Sequence, residues 1–271
     1  GPDGRLGTVK EAGKLAQLEL VLEEGMPPGT CGIAHTRWAT HGAPNRVNAH
    51  PHWSKGRDIA LVHNGIFENA DVLRAKLSDL GYAFETETDT EVVVHLIDEA
   101  LQENPLLEDA VMVALAQVEG AYGIAVVSSR DPGKIVAARK GSPLLIGIGK
   151  NGENLVGSDA SAVIAHTKDV VYLDDGDCAV LTAEGYRVFH IGEGDVLRSV
   201  HQIEWDLAAA EKGGYEHFML KEICEQPESL RNVMRGRLLE ETGDARLGGI
   251  TLSDEELARI RRIVITACGT S

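Results

Sequence analysis

Apolar positions along the chain fall into two regimes. Residues 9 to 118 carry helix-period segments, and residues 123 to 190 carry short strand-like runs. Ala12, Leu15, Ala16 and Leu22 recur at helical spacing over 9 to 23, and Gly25 with Pro27 and Pro28 stops that segment. A short apolar run, Cys31 to Ala34, leads into a loop rich in His, Gly, Pro and Asn that lasts to His52. Ile59 to Val62 predicts a buried strand that delivers His63-Asn64-Gly65 at its end. Leu73, Leu77 and Leu80 mark one face of a helix. Thr88-Asp89-Thr90-Glu91 supplies an N-cap and an acidic first turn for a helix over Val92 to Ile97, and another helix spans 106 to 118.

The second regime predicts strands at 124–128, 134–138, 144–148, 170–173, 178–182 and 186–190, with turns at Asp131-Pro132-Gly133 and Glu184-Gly185. An antiparallel meander after helices argues for α+β layers. From Ile203 the pattern changes again. Gly213-Gly214 opens a helical region over 218–239 interrupted at Pro227, a capped helix begins at Ser253-Asp254, and Ile263-Val264-Ile265 predicts a strand ending in Ala267-Cys268-Gly269-Thr270-Ser271.

Composition narrows the chemistry. Of 271 residues, 43% are hydrophobic and 25% charged, and no apolar run approaches the length of a bilayer-spanning helix. Twenty-six Lys and Arg against 42 Asp and Glu give a net charge of -16, which disfavours nucleic acid and anionic lipid as partners. Cys31, Cys178, Cys224 and Cys268 lack metal-site spacing and disulfide density, so a reducing, cytoplasmic setting is expected.

Three features carry candidate chemistry. In His35-Thr36-Arg37-Trp38-Ala39-Thr40-His41-Gly42 the Arg37 fork suits a carboxylate, and Thr40 and His41 add hydrogen-bonding groups; a surface loop with a stacked Arg-Trp pair is the alternative. Asn64-Gly65 can present a side-chain amide and an open backbone N–H to an oxyanion, or form a tight turn. Asp89 can pair with an ammonium group or cap a helix. His41, His50, His52 and His63 lack a convincing third ligand at metal-site spacing, so no metal is expected. Gly147 to Gly152 fits GxGxxG, but strand-like Leu155-Val156 follows instead of a helix, so a hairpin at Asn151-Gly152 is expected.

Taken in order, HTRWATHG, Asn-Ala-His-Pro-His at 48–52, Val-His-Asn-Gly-Ile at 62–66 and Glu-Thr-Asp-Thr-Glu at 87–91 resemble the class II glutamine amidotransferases. That resemblance implies that Arg37 binds the α-carboxylate of glutamine and Asp89 its α-amine, and that Thr40 and His41 complete the pocket. It also implies that Asn64 and Gly65 form an oxyanion hole and that Trp38 belongs to a gate. Lys221-Glu222-Ile223, Glu225-Gln226-Pro227 and 267–271 resemble the branch that turns fructose 6-phosphate into glucosamine 6-phosphate, with Thr270 and Ser271 at the sugar phosphate. Cys224 departs from that pattern and carries no assigned role.

The implied fold is a four-layer α/β/β/α N-terminal nucleophile hydrolase sandwich lacking its first strands. An amidotransferase domain would cover 1–205, a linker and helices 206–258, and the start of a sugar isomerase domain 259–271. The family implies no cofactor and a homodimer as the full-length protein. Its nucleophile is a cysteine at position 1, whereas this chain opens on Gly1-Pro2, so the polypeptide as given is expected to be inactive and the fructose 6-phosphate site incomplete. Cys31-Gly32-Ile33 reproduces the family's opening tripeptide, but an internal residue has no free α-amine to act as base, and Cys31 is expected to be a small core residue. A glutamine-binding or structural module without turnover, and an amidotransferase for another phosphosugar, remain the alternatives.

Overall fold

The computed structural model describes residues 1, 4–37, 41–150, 152–204, 213–234, 238–239, 243–245 and 252–264. The chain divides into two units, 1–207 and 208–271.

The first unit is built on a seven-stranded antiparallel sheet in the order β1-β2-β3-β4-β8-β9-β10. Its members are β1 (His52–Trp53), β2 (Ile59–Phe67), β3 (Gly120–Ser128), β4 (Asp131–Lys140), β8 (Asp177–Thr182), β9 (Gly185–His190) and β10 (Gly194–Asp195). A second sheet, in the order β11-β7-β5-β6, contains β5 (Leu145–Ile148), β6 (Asn154–Gly157), β7 (Asp169–Tyr172) and β11 (His201–Gln202).

Alternation along the strands divides the core between two faces of the larger sheet. Val136 and Ala138 of β4 and Cys178 and Val180 of β8 face α2 (Ala70–Asp79), α3 (Asp89–Ala100) and α4 (Leu107–Leu115), where Leu77, Val92, Val93, Ile97 and Val111 are fully buried. Their neighbours Ala137, Ala179 and Leu181 face Ile146 and Val171 of the second sheet. Burial on both faces is why these strands read as unbroken apolar runs. On the far side of the second sheet, Leu145 and Val170 pack against Ala160, Val163, Ile164 and Ile203. Among the described residues the outermost cover is a 3-10 turn, Ala160–Ala162, so the layers run helices, sheet, sheet, short helical turn. This is the expected α+β sandwich of antiparallel sheets.

Several elements differ from their sequence patterns. The first helix, α1 (Leu15–Glu24), buries none of its residues. Residues 32–37 form no strand, and Cys31, at the start of that irregular segment, is exposed rather than a core residue. Leu80 lies just past the end of α2 and is half exposed, while Leu73 and Leu77 are buried as expected. The turn between β3 and β4 is Ser129-Arg130. Asp131 already pairs with Ser128, so Asp131-Pro132-Gly133 opens a strand at a position of irregular register. The β5–β6 hairpin forms as expected, Ile148 opposite Asn154; Asn151 lies outside the described residues.

In the second unit α5 (Phe218–Met234) runs through Pro227 without the expected interruption. A small hairpin joins β12 (Leu238–Leu239) to β13 (Asp244–Ala245). Helix α6 (Asp254–Ala258) begins with a capping box in which Ser253 and Glu256 satisfy each other's backbone N–H groups. Residues 263 and 264 are not in a strand, and residues 265–271, including Thr270 and Ser271, lie outside the described residues.

Candidate functional site

Strand β2 changes character half-way. Ile59 to His63 are buried, Asn64 to Ile66 are exposed, and Phe67 returns to the core. Asn64-Gly65 is therefore no turn: Asn64 pairs with Gly123 and Gly65 with Tyr122 in an uninterrupted ladder to β3. Gly65 has φ +127°, and a Cβ there would lie 2.0 Å from the Ala121 carbonyl oxygen. Only glycine fits that close approach, which places an open backbone beside an exposed carboxamide.

The facing wall is the first turn of α3. Thr88 is the N-cap, its hydroxyl accepting from Glu91 N–H, so Asp89 is not needed as a cap. Asp89 is buried and reaches across to β2, where Phe67 N–H donates to its Oδ2 at 2.9 Å. The Glu91 carboxylate accepts from the N–H groups of Glu85 and Thr86, both at 2.7 Å, and fastens the preceding loop. Burial works against its charge, yet His95 Nε2 at 3.6 Å and the bonds from Thr86 and those amides hold its pKa down to about 2.

Histidines fill the junction between strand and helix. The Thr90 hydroxyl lies 3.1 Å from both His50 Nε2 and His63 Nδ1, and the His35 and His50 rings meet edge-on at 4.1 Å. His52, on β1, reaches the Thr88 hydroxyl at 3.3 Å. Burial lowers the pKa of all four. His63 falls to about 4 against the pull of Asp89, His52 falls to about 3 with Lys10 adding to the effect, and His35 and His50 shift in the same direction. The cluster is neutral at ordinary pH. Among the described residues no group of three His, Cys, Asp or Glu is placed to hold a metal.

The remaining wall is the loop after His35. Arg37 donates to the carbonyls of Ala43 at 3.0 Å and Gly42 at 3.2 Å, and to that of His41. Glu87 accepts from Ala43 N–H at 3.2 Å and from Asn48 Nδ2 at 2.9 Å, while Asn48 Oδ1 accepts from Glu87 N–H at 3.1 Å. These bonds from Asn48 and Ala43 lower the Glu87 pKa. From the other side Lys10 Nζ donates to the carbonyls of Val47 and Pro51, both at 3.1 Å.

The three walls enclose a cavity of about 300 Å³, lined by Arg37, His41, Asn64, Gly65 and Asp89 together with His35, Thr36, His50, His63, Ile66, Thr88 and Thr90. All five described candidates from the central motifs thus line one space, with a cation, a carboxylate and hydrogen-bond donors on different walls. Trp38 and Thr40 lie outside the described residues. Sequence reasoning gave no role to His35 or to Thr90. The clue was spacing: HTR, VHN and DTE each set a polar side chain close to a candidate already identified.

A glutamine amidotransferase domain family matches residues 35–165. The glutamine–fructose-6-phosphate aminotransferase (isomerizing) of Chlorobaculum tepidum is 51% identical over 99% of this chain, and its namesake from Clostridium acetobutylicum is 47% identical over 99%. Residues 35–165 therefore carry a glutamine amidotransferase domain. It spans 44% of the length of each of those two relatives. In three dimensions it is similar to the glutamine phosphoribosylpyrophosphate amidotransferase of B. subtilis complexed with ADP and GMP. That likeness has a TM-score of 0.50 and 26% identity, and covers 58% of this chain and 34% of that one. The amidotransferase motifs at 35–42, 62–66 and 87–91 all contribute to the cavity.

Cys31 does not line that cavity; its thiol lies 3.8 Å from the Lys134 carbonyl, towards β4. Partial desolvation raises its pKa, the opposite of what activates a thiol. The Cys31 thiol thus has neither the position nor the activation expected of a nucleophile at this cavity. Among the described residues no helix is long and apolar enough to cross a membrane.

Proposed function

We propose that residues 35–90 hold glutamine for an enzyme that transfers its amide nitrogen to fructose 6-phosphate, giving glucosamine 6-phosphate and glutamate. The names of the two relatives support the acceptor, and the cavity supports the donor. One observation carries the reading: Asp89 and the Asn64-Gly65 step, 25 residues apart in sequence, face the same cavity as Arg37 and His41.

Arg37 grips the α-carboxylate of glutamine, exchanging its carbonyl partners on 41–43 for a charged bidentate one. Asp89 takes the α-ammonium; its Oδ2 is engaged by Phe67 N–H, so the ion pair forms on a carboxylate already fixed in direction. Thr40 and His41 complete the pocket, and Trp38 gates it. The side-chain amide of glutamine then points to Asn64 and Gly65. When a thiolate adds to the amide carbon, the carbonyl oxygen becomes an oxyanion that Asn64 Nδ2 and the Gly65 N–H stabilise. The C–N bond breaks with proton transfer to nitrogen, ammonia leaves, and water hydrolyses the thioester to glutamate. No cysteine lines the described cavity, so the attacking thiol comes from outside the described residues. Thr270 and Ser271 contact the sugar phosphate, and the enzyme works as a homodimer.

Calorimetric titration of the chain with L-glutamine tests the donor half. Asp89→Asn removes the charge that meets the ammonium and is expected to weaken binding by about tenfold to a hundredfold, since a charged hydrogen bond contributes about 1.5–3 kcal/mol. Equal affinity for L-glutamine in wild type and Asp89→Asn contradicts the assigned role.

A further inference from the structure

Asn64 can serve the cavity in two opposite ways. Its carboxamide has a donor end, Nδ2, and an acceptor end, Oδ1, and only the donor end stabilises a negative oxygen. The β2–β3 ladder fixes where the side chain starts but not which end turns inward. The neighbour that decides is His35, whose Nε2 lies 2.8 Å from Asn64 Oδ1.

Burial and the nearby Arg37 charge disfavour a second proton on His35, so the ring carries one N–H. With that proton on Nε2, His35 donates to Oδ1 and the Nδ2 end of Asn64 faces away from it. With the proton on Nδ1, Nε2 would be an acceptor, the carboxamide would turn over, and the cavity would meet a carbonyl oxygen. Nδ1 is buried and makes no hydrogen bond of normal geometry, although the His63 backbone lies close to the ring, whereas a proton on Nε2 has Asn64 Oδ1 at 2.8 Å. The ring cannot easily swing away. His50 lies edge-on against it at 4.1 Å, and His50 is itself tied through Nε2 to the Thr90 hydroxyl at 3.1 Å.

We propose that His35 is a positioning residue that holds the Asn64 side-chain amide with its Nδ2 end towards the cavity, so that the site attracts an oxyanion instead of repelling one. The proposal rests on the reading of Asn64 as an oxyanion donor given above, and it adds the group that makes Asn64 a donor.

The test is nitrogen-15 NMR on the 271-residue chain, with histidine and asparagine side chains labelled. His35 is expected as the Nε2–H tautomer, and the Asn64 Nδ2 resonances are expected to move when L-glutamine is added. His35→Ala is expected to shift those resonances in the free protein and to weaken L-glutamine binding about tenfold, the scale of one misdirected hydrogen bond. His35→Gln, whose amide can donate to Oδ1, is expected to restore both to within about threefold of wild type; should His35→Ala fail to fold, the tautomer and His35→Gln carry the test. An Nδ1–H tautomer overturns the proposal, as do Asn64 resonances that His35→Ala leaves in place. Absence of L-glutamine binding by wild type overturns the functional reading instead, and the tautomer still decides the positioning.

Discussion

The walls of the cavity are built in different ways. Asn64, Gly65 and Asp89 stand on β2 and the first turn of α3, where a strand ladder, a Thr88 cap and the Phe67-to-Asp89 bond fix the backbone. Arg37 and His41 stand on a stretch that is neither strand nor helix where it is described. A few polar bonds hold that stretch: Arg37 to the carbonyls of 41–43, Glu87 to Ala43 and Asn48, and Lys10 to Val47 and Pro51. The wall assigned to the developing oxyanion is thus set in place beforehand, and the wall assigned to the substrate carboxylate can exchange its bonds. Preorganised donors at the reacting atom and an adjustable grip on the remote end suit binding energy spent in the transition state.

The strongest expected contrast is with pH, because the neutral histidines lie where the rigid walls meet. His52 and His63 have folded pKa values of about 3 and about 4, below the ordinary value of about 6.5. Above pH 6.5 neither state binds the proton and nothing is lost. As pH falls below 6.5 the unfolded chain takes up protons that the folded one refuses, so stability declines until the folded groups titrate near 4 and 3. The two together are expected to cost about 4 kcal/mol between about pH 6.5 and 4.5, read from urea midpoints. A flat midpoint across that window would contradict their burial as neutral groups.

Gly65→Ala attacks the rigid wall directly. A Cβ 2.0 Å from the Ala121 carbonyl at φ +127° forces β2 from β3, with an expected loss of about 3 kcal/mol in urea unfolding. Near-wild-type stability would show that the ladder yields there, and that this wall is no stiffer than the loop. Glu87→Ala attacks the loop and is expected to leave the global urea midpoint almost unchanged while speeding amide exchange at 42–48. Its lowered pKa means the latch persists at neutral pH and is lost only as pH falls through a value below the ordinary carboxylate range. A large drop in global stability in Glu87→Ala would erase the distinction between the walls.

Much of the rigid wall was legible in the sequence. The strand at 59–62, a helix cap at Thr88 or Asp89 and the strands from 124 to 190 follow from periodicity and turn chemistry, because burial on sheet faces imposes those periods, while the choice of Thr88 as the cap came only from the structure. What periodicity could not give was that β2 continues through Asn64-Gly65. Locally that dipeptide favours a turn, and only pairing with Tyr122 and Gly123, nearly sixty residues on, overrides it. The helical spacing over 9 to 23 likewise promised more than α1 delivers, since no core lies against its apolar positions. The loop wall was legible only as a resemblance: Arg37 and His41 have no period, and the Asn48–Glu87 bonds join residues 39 apart. For the same reason Cys31, which by its tripeptide looked notable and by its neighbours looked buried, is exposed and lies off the cavity.

The central claim is that both kinds of wall close on one glutamine molecule. Backbone and side-chain NMR of the 271-residue chain titrated with L-glutamine tests it most directly. The account predicts that Asn64, Gly65 and Asp89 on the rigid walls and Arg37, His41 and Gly42 on the loop shift together, with one common binding curve. Shifts confined to one wall, or perturbations elsewhere on the surface with none at Asn64 and Asp89, would contradict it.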